Sequence, residues 1–70
     1  MSPAQVRTAL EMLDTTWRQF AELVEHDRTS VWRWQTSDPE KRRAIPGEAA
    51  ILLKLLVAGK ITKADILALD

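Results

Sequence analysis

The chain has 70 residues, ten basic and ten acidic, with no cysteine. That length allows one domain, residues 1–70, close to the lower limit for a self-sufficient core. Neither disulfides nor thiolate metal sites can staple it, so it must rely on helix packing or on a second copy of itself. The longest apolar stretch, Ala49 to Ala58, is broken by Lys54 and falls far short of the roughly 20 residues that span a bilayer. The amino end lacks the basic-then-apolar pattern of a signal peptide, so a cytoplasmic protein without membrane contact is expected.

Ser2-Pro3-Ala4-Gln5 reads as a helix start. Ser2 can cap, Pro3 suits the first helical position and Gln5 can complete a capping box. Val6, Ala9, Leu10 and Leu13 then form an apolar stripe, and this helix is predicted to end near Asp14. Arg7 and Glu11 lie one turn apart and are expected to pair on its outside. Thr16-Trp17-Arg18-Gln19 repeats the capping-box pattern and opens a second helix, Trp17 to Val24. Phe20, Ala21 and Val24 share one face of it. Asp27 can cap a third helix, Arg28 to Gln35, whose inward face carries Val31 and Trp34.

Thr36 to Gly47 holds two prolines and a Ser-Asp-Pro turn signal, which exclude a continuous helix; Asp38-Pro39-Glu40 can make a single helical turn. Pro46 restarts a helix with Glu48 in its first turn. The run to Val57 is apolar on more than one face, so it must be buried in the core or against a partner. Gly59 suits a carboxyl-terminal cap. Thr62 with Asp65 opens a last short helix carrying Ile66, Leu67 and Leu69. The expected fold is all-α, with five helices.

The charges balance overall but not locally. Residues 1–27 hold Arg7 and Arg18 against five acids, whereas residues 28–43 hold Arg28, Arg33, Lys41, Arg42 and Arg43 against Asp38 and Glu40. A neutral total argues against nucleic acid, but the local field is what a phosphate backbone meets. The outward face of the third helix carries Arg28, Thr29, Trp32 and Arg33. An arginine fork matches the O6 and N7 atoms of guanine, so a short helix offering that set suits a DNA major groove.

The stretch from Arg18 to Gln35, RQFAELVEHDRTSVWRWQ, resembles the helix-turn-helix of lambda-repressor-like, Cro-type (XRE) regulators. Ala21 matches the small residue where the two helices cross, Val31 the branched residue midway along the recognition helix, and Phe20, Val24 and Trp34 core positions. The IPGEAAILLKLL segment extends the likeness. At the corner the family favours glycine; here Glu25 or His26 must take left-handed dihedrals, at some cost. The next position, usually aliphatic, is His26 or Asp27.

The resemblance implies a compact five-helix lambda-repressor-like domain that binds double-stranded DNA sequence-specifically. It would act as a homodimer through helices 4 and 5, regulating transcription in a bacterial or phage-infected cell. Half-sites would lie about one helical turn apart. Base contacts are expected from Arg28, Thr29, Trp32 and Arg33. Phosphate contacts are expected from Trp17 and Arg18 at the start of the second helix, from Ser30, and from Lys41, Arg42 and Arg43. Leu53, Leu56, Val57 and Ile66 are candidates for core or dimer surface. His26, the one histidine, is a turn residue with too few companions for a metal site. No nucleophile–base pair or glycine-rich phosphate loop stands out, so no enzyme activity, cofactor or small-molecule ligand is expected. Two rivals follow from the same residues: a helix-turn-helix scaffold that binds another protein, for which the neutral charge speaks, and a DNA-packaging or recombination accessory protein.

Overall fold

The computed structural model describes residues 1–69. The chain runs α1 (Pro3–Met12), α2 (Trp17–Val24), α3 (Arg28–Gln35), α4 (Gly47–Val57) and α5 (Lys63–Leu67), with no strand among the described residues. The bounds of α2 and α3 are those that capping and apolar spacing predict. Three helix starts carry complete capping boxes, Ser2 with Gln5, Thr16 with Gln19 and Thr62 with Asp65. In each, the side-chain oxygen accepts the third residue's N–H and that residue's side chain accepts the cap's own N–H, satisfying two otherwise orphaned donors.

Three helices end in the same way. Beyond α2, His26 N–H donates to Ala21 C=O (3.0 Å) and Glu25 N–H to Glu22 C=O (3.4 Å), while Glu25 takes φ 55°, ψ 37°. That is the Schellman closure, and it needs one left-handed residue. Glu25, one of the two residues expected to bear that strain, bears it. Gly59 (φ 72°) does the same after α4, with Lys60 N–H on Leu55 C=O at 3.0 Å. After α1 the left-handed residue is Asp14 (φ 50°), with Thr15 N–H on Leu10 C=O at 3.0 Å. This turn ends α1 at Met12, two residues before the expected stop near Asp14. At α4 the difference is one residue: Pro46 stands outside the helix as its N-cap and Gly47 opens it.

The core joins α1, α2, α3 and α4. Val6, Phe20, Val31 and Leu53 are fully enclosed, with Ala9, Leu10, Ala21, Trp34, Ala49, Ala50 and Leu56 around them. Burying each Val, Leu or Phe side chain among them is worth roughly 1.5–3 kcal/mol. Leu53 and Leu56, which the sequence left between core and dimer surface, are core; Val57 and Ile66 pack half-buried against it. Ile45 joins the core from the long connection and pins it down. Within that connection Asp38 closes a turn, its C=O accepting the N–H groups of Lys41 (3.2 Å) and Arg42 (3.0 Å).

The expected Arg7–Glu11 pair does not form: Arg7 Nη1 donates instead to Gln35 C=O at 2.6 Å. The reason is the packing of α1 beside α3. A carbonyl at a helix C-terminus has no intrahelical partner and carries the negative end of the helix dipole, and it outcompetes a solvated carboxylate for the guanidinium.

Candidate nucleic-acid interface

Helix α3 is a rod of eight residues fixed on three sides. From behind, Val31 and Trp34 are buried against the core. His26, in the preceding corner, meets Trp34 edge-to-face, ring centroids 4.9 Å apart and planes at 74°, a favourable aromatic geometry. The role of the sole histidine is therefore to brace the corner against α3. At the front end Asp27 Oδ2 accepts the Ser30 N–H at 3.2 Å, an N-cap worth about 1 kcal/mol.

The rear end of α3 is closed by local residues and by two that are remote in sequence. Arg7 holds the Gln35 carbonyl. The Trp32 carbonyl accepts from both Thr36 N–H and Gln35 Nε2, each at 3.0 Å. The Arg33 carbonyl accepts the Arg43 N–H at 3.0 Å. This last bond folds the basic end of the long connection back onto α3, so residues eight to ten positions after Arg33 lie beside it. Lys41, Arg42 and Arg43 are all exposed there.

On the outer face Arg28, Thr29 and Arg33 are exposed, while Trp32 and Ser30 are half-buried. The four expected base-reading residues thus share the solvent side of one braced helix. Ser30 is less free than its neighbours, because its N–H serves the Asp27 cap. At the start of α2, the Arg18 guanidinium stacks over the Trp17 ring, 4.7 Å from its centroid, a cation–π contact that holds both side chains in place. Trp17 and Trp32 together with Arg28 and Thr29 line one open cleft. Of the expected phosphate contacts, Trp17 and Arg18 stand at the start of α2, Ser30 on α3 itself, and Lys41 to Arg43 in the loop bonded back to α3.

One residue of this surface is absent from the sequence-based expectation. Glu22 Oε1 accepts from Arg28 Nη2 at 3.2 Å, joining α2 to α3 across the corner. The two side chains remain 71% and 61% exposed, and an ion pair so placed is worth about 0.2–1 kcal/mol. The outer face of α3 carries no acid of its own, but α2 supplies one. A separation of six residues across a corner has no fixed spatial meaning until the corner is built, so spacing alone does not reveal it.

The surface of α4 and α5 differs in chemistry. Ile51, Leu55, Leu67 and Leu69 are exposed on and beyond α4 and α5. Leu69 also lines a groove with Leu23, Val24, Ala49, Leu52 and Ile66, bordered by Glu25, His26 and Glu48. No helix among the described residues is long and apolar enough to cross a membrane. Compared with protein-family models, with curated proteins and with solved structures, the chain finds no match.

Proposed function

We propose that the chain is a lambda-repressor-like, sequence-specific DNA-binding regulator of transcription, without enzymatic activity, that lays α3 in the major groove and acts as a homodimer through α4 and α5. The observation that carries this reading is the outer face of α3. Arg28, Thr29, Trp32 and Arg33 stand on a helix capped at its start by Asp27, held at its end by Arg7 and Arg43, and buried along its inner face. Side chains on so fixed a rod lose little further freedom on binding, which favours a discriminating contact over a merely sticky one. The bond from Arg43 to Arg33 supports the reading independently, since it sets the basic run Lys41 to Arg43 beside α3, where a reading helix needs phosphate contacts. The exposed apolar residues of α4 and α5 supply the surface for a second copy, and a two-fold dimer reads a palindromic site.

The neutral total charge and the tryptophan–arginine composition of the α3 face favour a second reading, a scaffold for another protein, because those residue types also dominate protein–protein hot spots. Selection of bound duplexes from a random pool, followed by a salt titration, separates the two. A regulator enriches one palindromic sequence, and its affinity falls linearly in log–log with salt. A protein scaffold enriches nothing.

A further inference from the structure

We propose that the cleft between Trp17 and Trp32 is a receptor for the C5-methyl group of a pyrimidine in the major groove. This inference rests on the DNA-binding reading above and adds to it the chemical group that part of the surface selects.

The cleft is lined by four residues, Trp17, Arg28, Thr29 and Trp32, and offers about 320 Å³ open to solvent. That is the small end of the range for ligand sites and gives room for one base edge. Its walls are two half-buried indoles, which favour an apolar group between them. Among the groups that base pairs present in the major groove, the pyrimidine methyl is the apolar one. Its rim bears a guanidinium and a hydroxyl, which serve the O6, N7 and O4 atoms that neighbour such a methyl.

Three contacts hold the cleft open. Arg18 stacks on Trp17 at 4.7 Å and fixes that ring. The Trp32 carbonyl accepts hydrogen bonds from both Thr36 and Gln35, which fixes the backbone that carries the second ring. Glu22 accepts from Arg28 Nη2 at 3.2 Å, beside the rim. The acid on α2 thereby acquires a role on a DNA-facing surface: it orients an arginine.

Thymine and 5-methylcytosine carry the same methyl, and the test separates them. Starting from the selected duplex, each thymine is replaced singly by deoxyuridine, which removes the methyl and leaves every hydrogen-bonding group in place. One position per half-site is expected to lose about fourfold in affinity, the value of one methyl taken from water. At that position C·G and 5-methyl-C·G pairs are then compared; a fourfold preference for the methylated pair means the cleft accepts the group from either base, and equal binding restricts it to thymine. Trp32→Ala should bind thymine and deoxyuridine alike there, whereas Trp32→Phe, which keeps an apolar wall, should retain the preference. Should Trp32→Ala lose its helical circular dichroism, the wild type and Trp32→Phe decide alone. A wild type indifferent to deoxyuridine at every thymine overturns the methyl receptor while leaving the DNA-binding reading intact. So does a folded Trp32→Ala that keeps the full preference. A pool from which no duplex is enriched overturns both.

Discussion

The α2–α3 corner and the α4–α5 segment both expose large side chains, but they hold them differently. Around α3 every exposed side chain with chemistry to offer stands on backbone fixed from elsewhere. Asp27 caps its start, Arg7 and Arg43 close its end, and Val31 and Trp34 anchor its inner face. On α4 the anchoring is good for Leu53, fully enclosed, yet Leu67 and Leu69 beyond it are 71% and 77% exposed and contribute no residue to the core. α5 has five residues, none of them buried. A polar face on a rigid support suits a partner met in solution and released again. An apolar face on a lightly held segment suits one that stays. The proposed function accordingly gives the first to DNA and the second to a subunit contact.

Removing the common support should abolish the contrast altogether. Phe20 is fully enclosed between the helices, and Phe20→Ala is expected to cost about 3–5 kcal/mol. That is a large share of the roughly 5–15 kcal/mol of a small domain. Urea unfolding followed by circular dichroism should show a midpoint far below that of wild type; a midpoint close to wild type would mean the core is organised otherwise.

A smaller perturbation leaves the support and strips the loop beside it. Lys41, Arg42 and Arg43 are exposed and tied to α3 through a single backbone bond. Replacing all three by alanine is expected to weaken binding to every duplex to a similar degree. It should also flatten the log–log salt slope by roughly 0.9 for each phosphate that is no longer neutralised. Unchanged affinity and slope would remove this cluster from the interface.

The apolar side yields to a different test. Ile51, Leu55, Leu67 and Leu69 are all exposed, so changing the four together to serine leaves the core residues in place. The variant should sediment as a monomer at micromolar concentration where wild type sediments as a dimer, with little change in helical content. A wild type that is monomeric throughout would take the subunit contact away from α4 and α5.

The smallest effect belongs to the corner itself. Glu25→Gly removes a side chain from a left-handed residue (φ 55°). Relief of that strain, less the added freedom of the unfolded chain, should raise stability by roughly 0.5–1 kcal/mol. A loss would show that the Glu25 side chain does more than tolerate its dihedrals.

Local chemistry is readable in this sequence and remote chemistry is not. Ser2, Thr16, Asp27 and Thr62 announce helix starts because a cap bonds to an N–H only three residues on. The inward stripes of α2 and α3 follow from helical periodicity, and so does the outward grouping of Arg28, Thr29, Trp32 and Arg33. Glu25 can be narrowed to one of two residues because a corner without glycine must strain something. The left-handed Asp14 escapes such reasoning, since nothing in its own neighbours demands that α1 stop at Met12. The partners of Arg7, Arg28 and Arg43 escape it for a shared reason. Each guanidinium or amide finds an acceptor on another helix, and which acceptor depends on how the helices approach. The family resemblance rests on the first kind of signal, which is why it reaches the helices and the face but not the Glu22–Arg28 pair or the cleft beside it.

Whether the braced face of α3 reads bases is tested most directly at Arg33. Arg33 is exposed, one turn from Thr29 and next to the buried Trp34 that fixes the helix. The measurement is the affinity of wild type, Arg33→Ala and Arg33→Lys for the selected duplex and for a scrambled one, at one fixed salt. Arg33→Ala should lose about 1–3 kcal/mol on the selected site and far less on the scrambled one, where phosphate electrostatics dominate. Arg33→Lys should do nearly as badly, because an ammonium cannot make the forked contact to guanine. Equal losses on both duplexes would reduce Arg33 to a backbone contact, and no loss on either would contradict the claim that this face of α3 reads DNA.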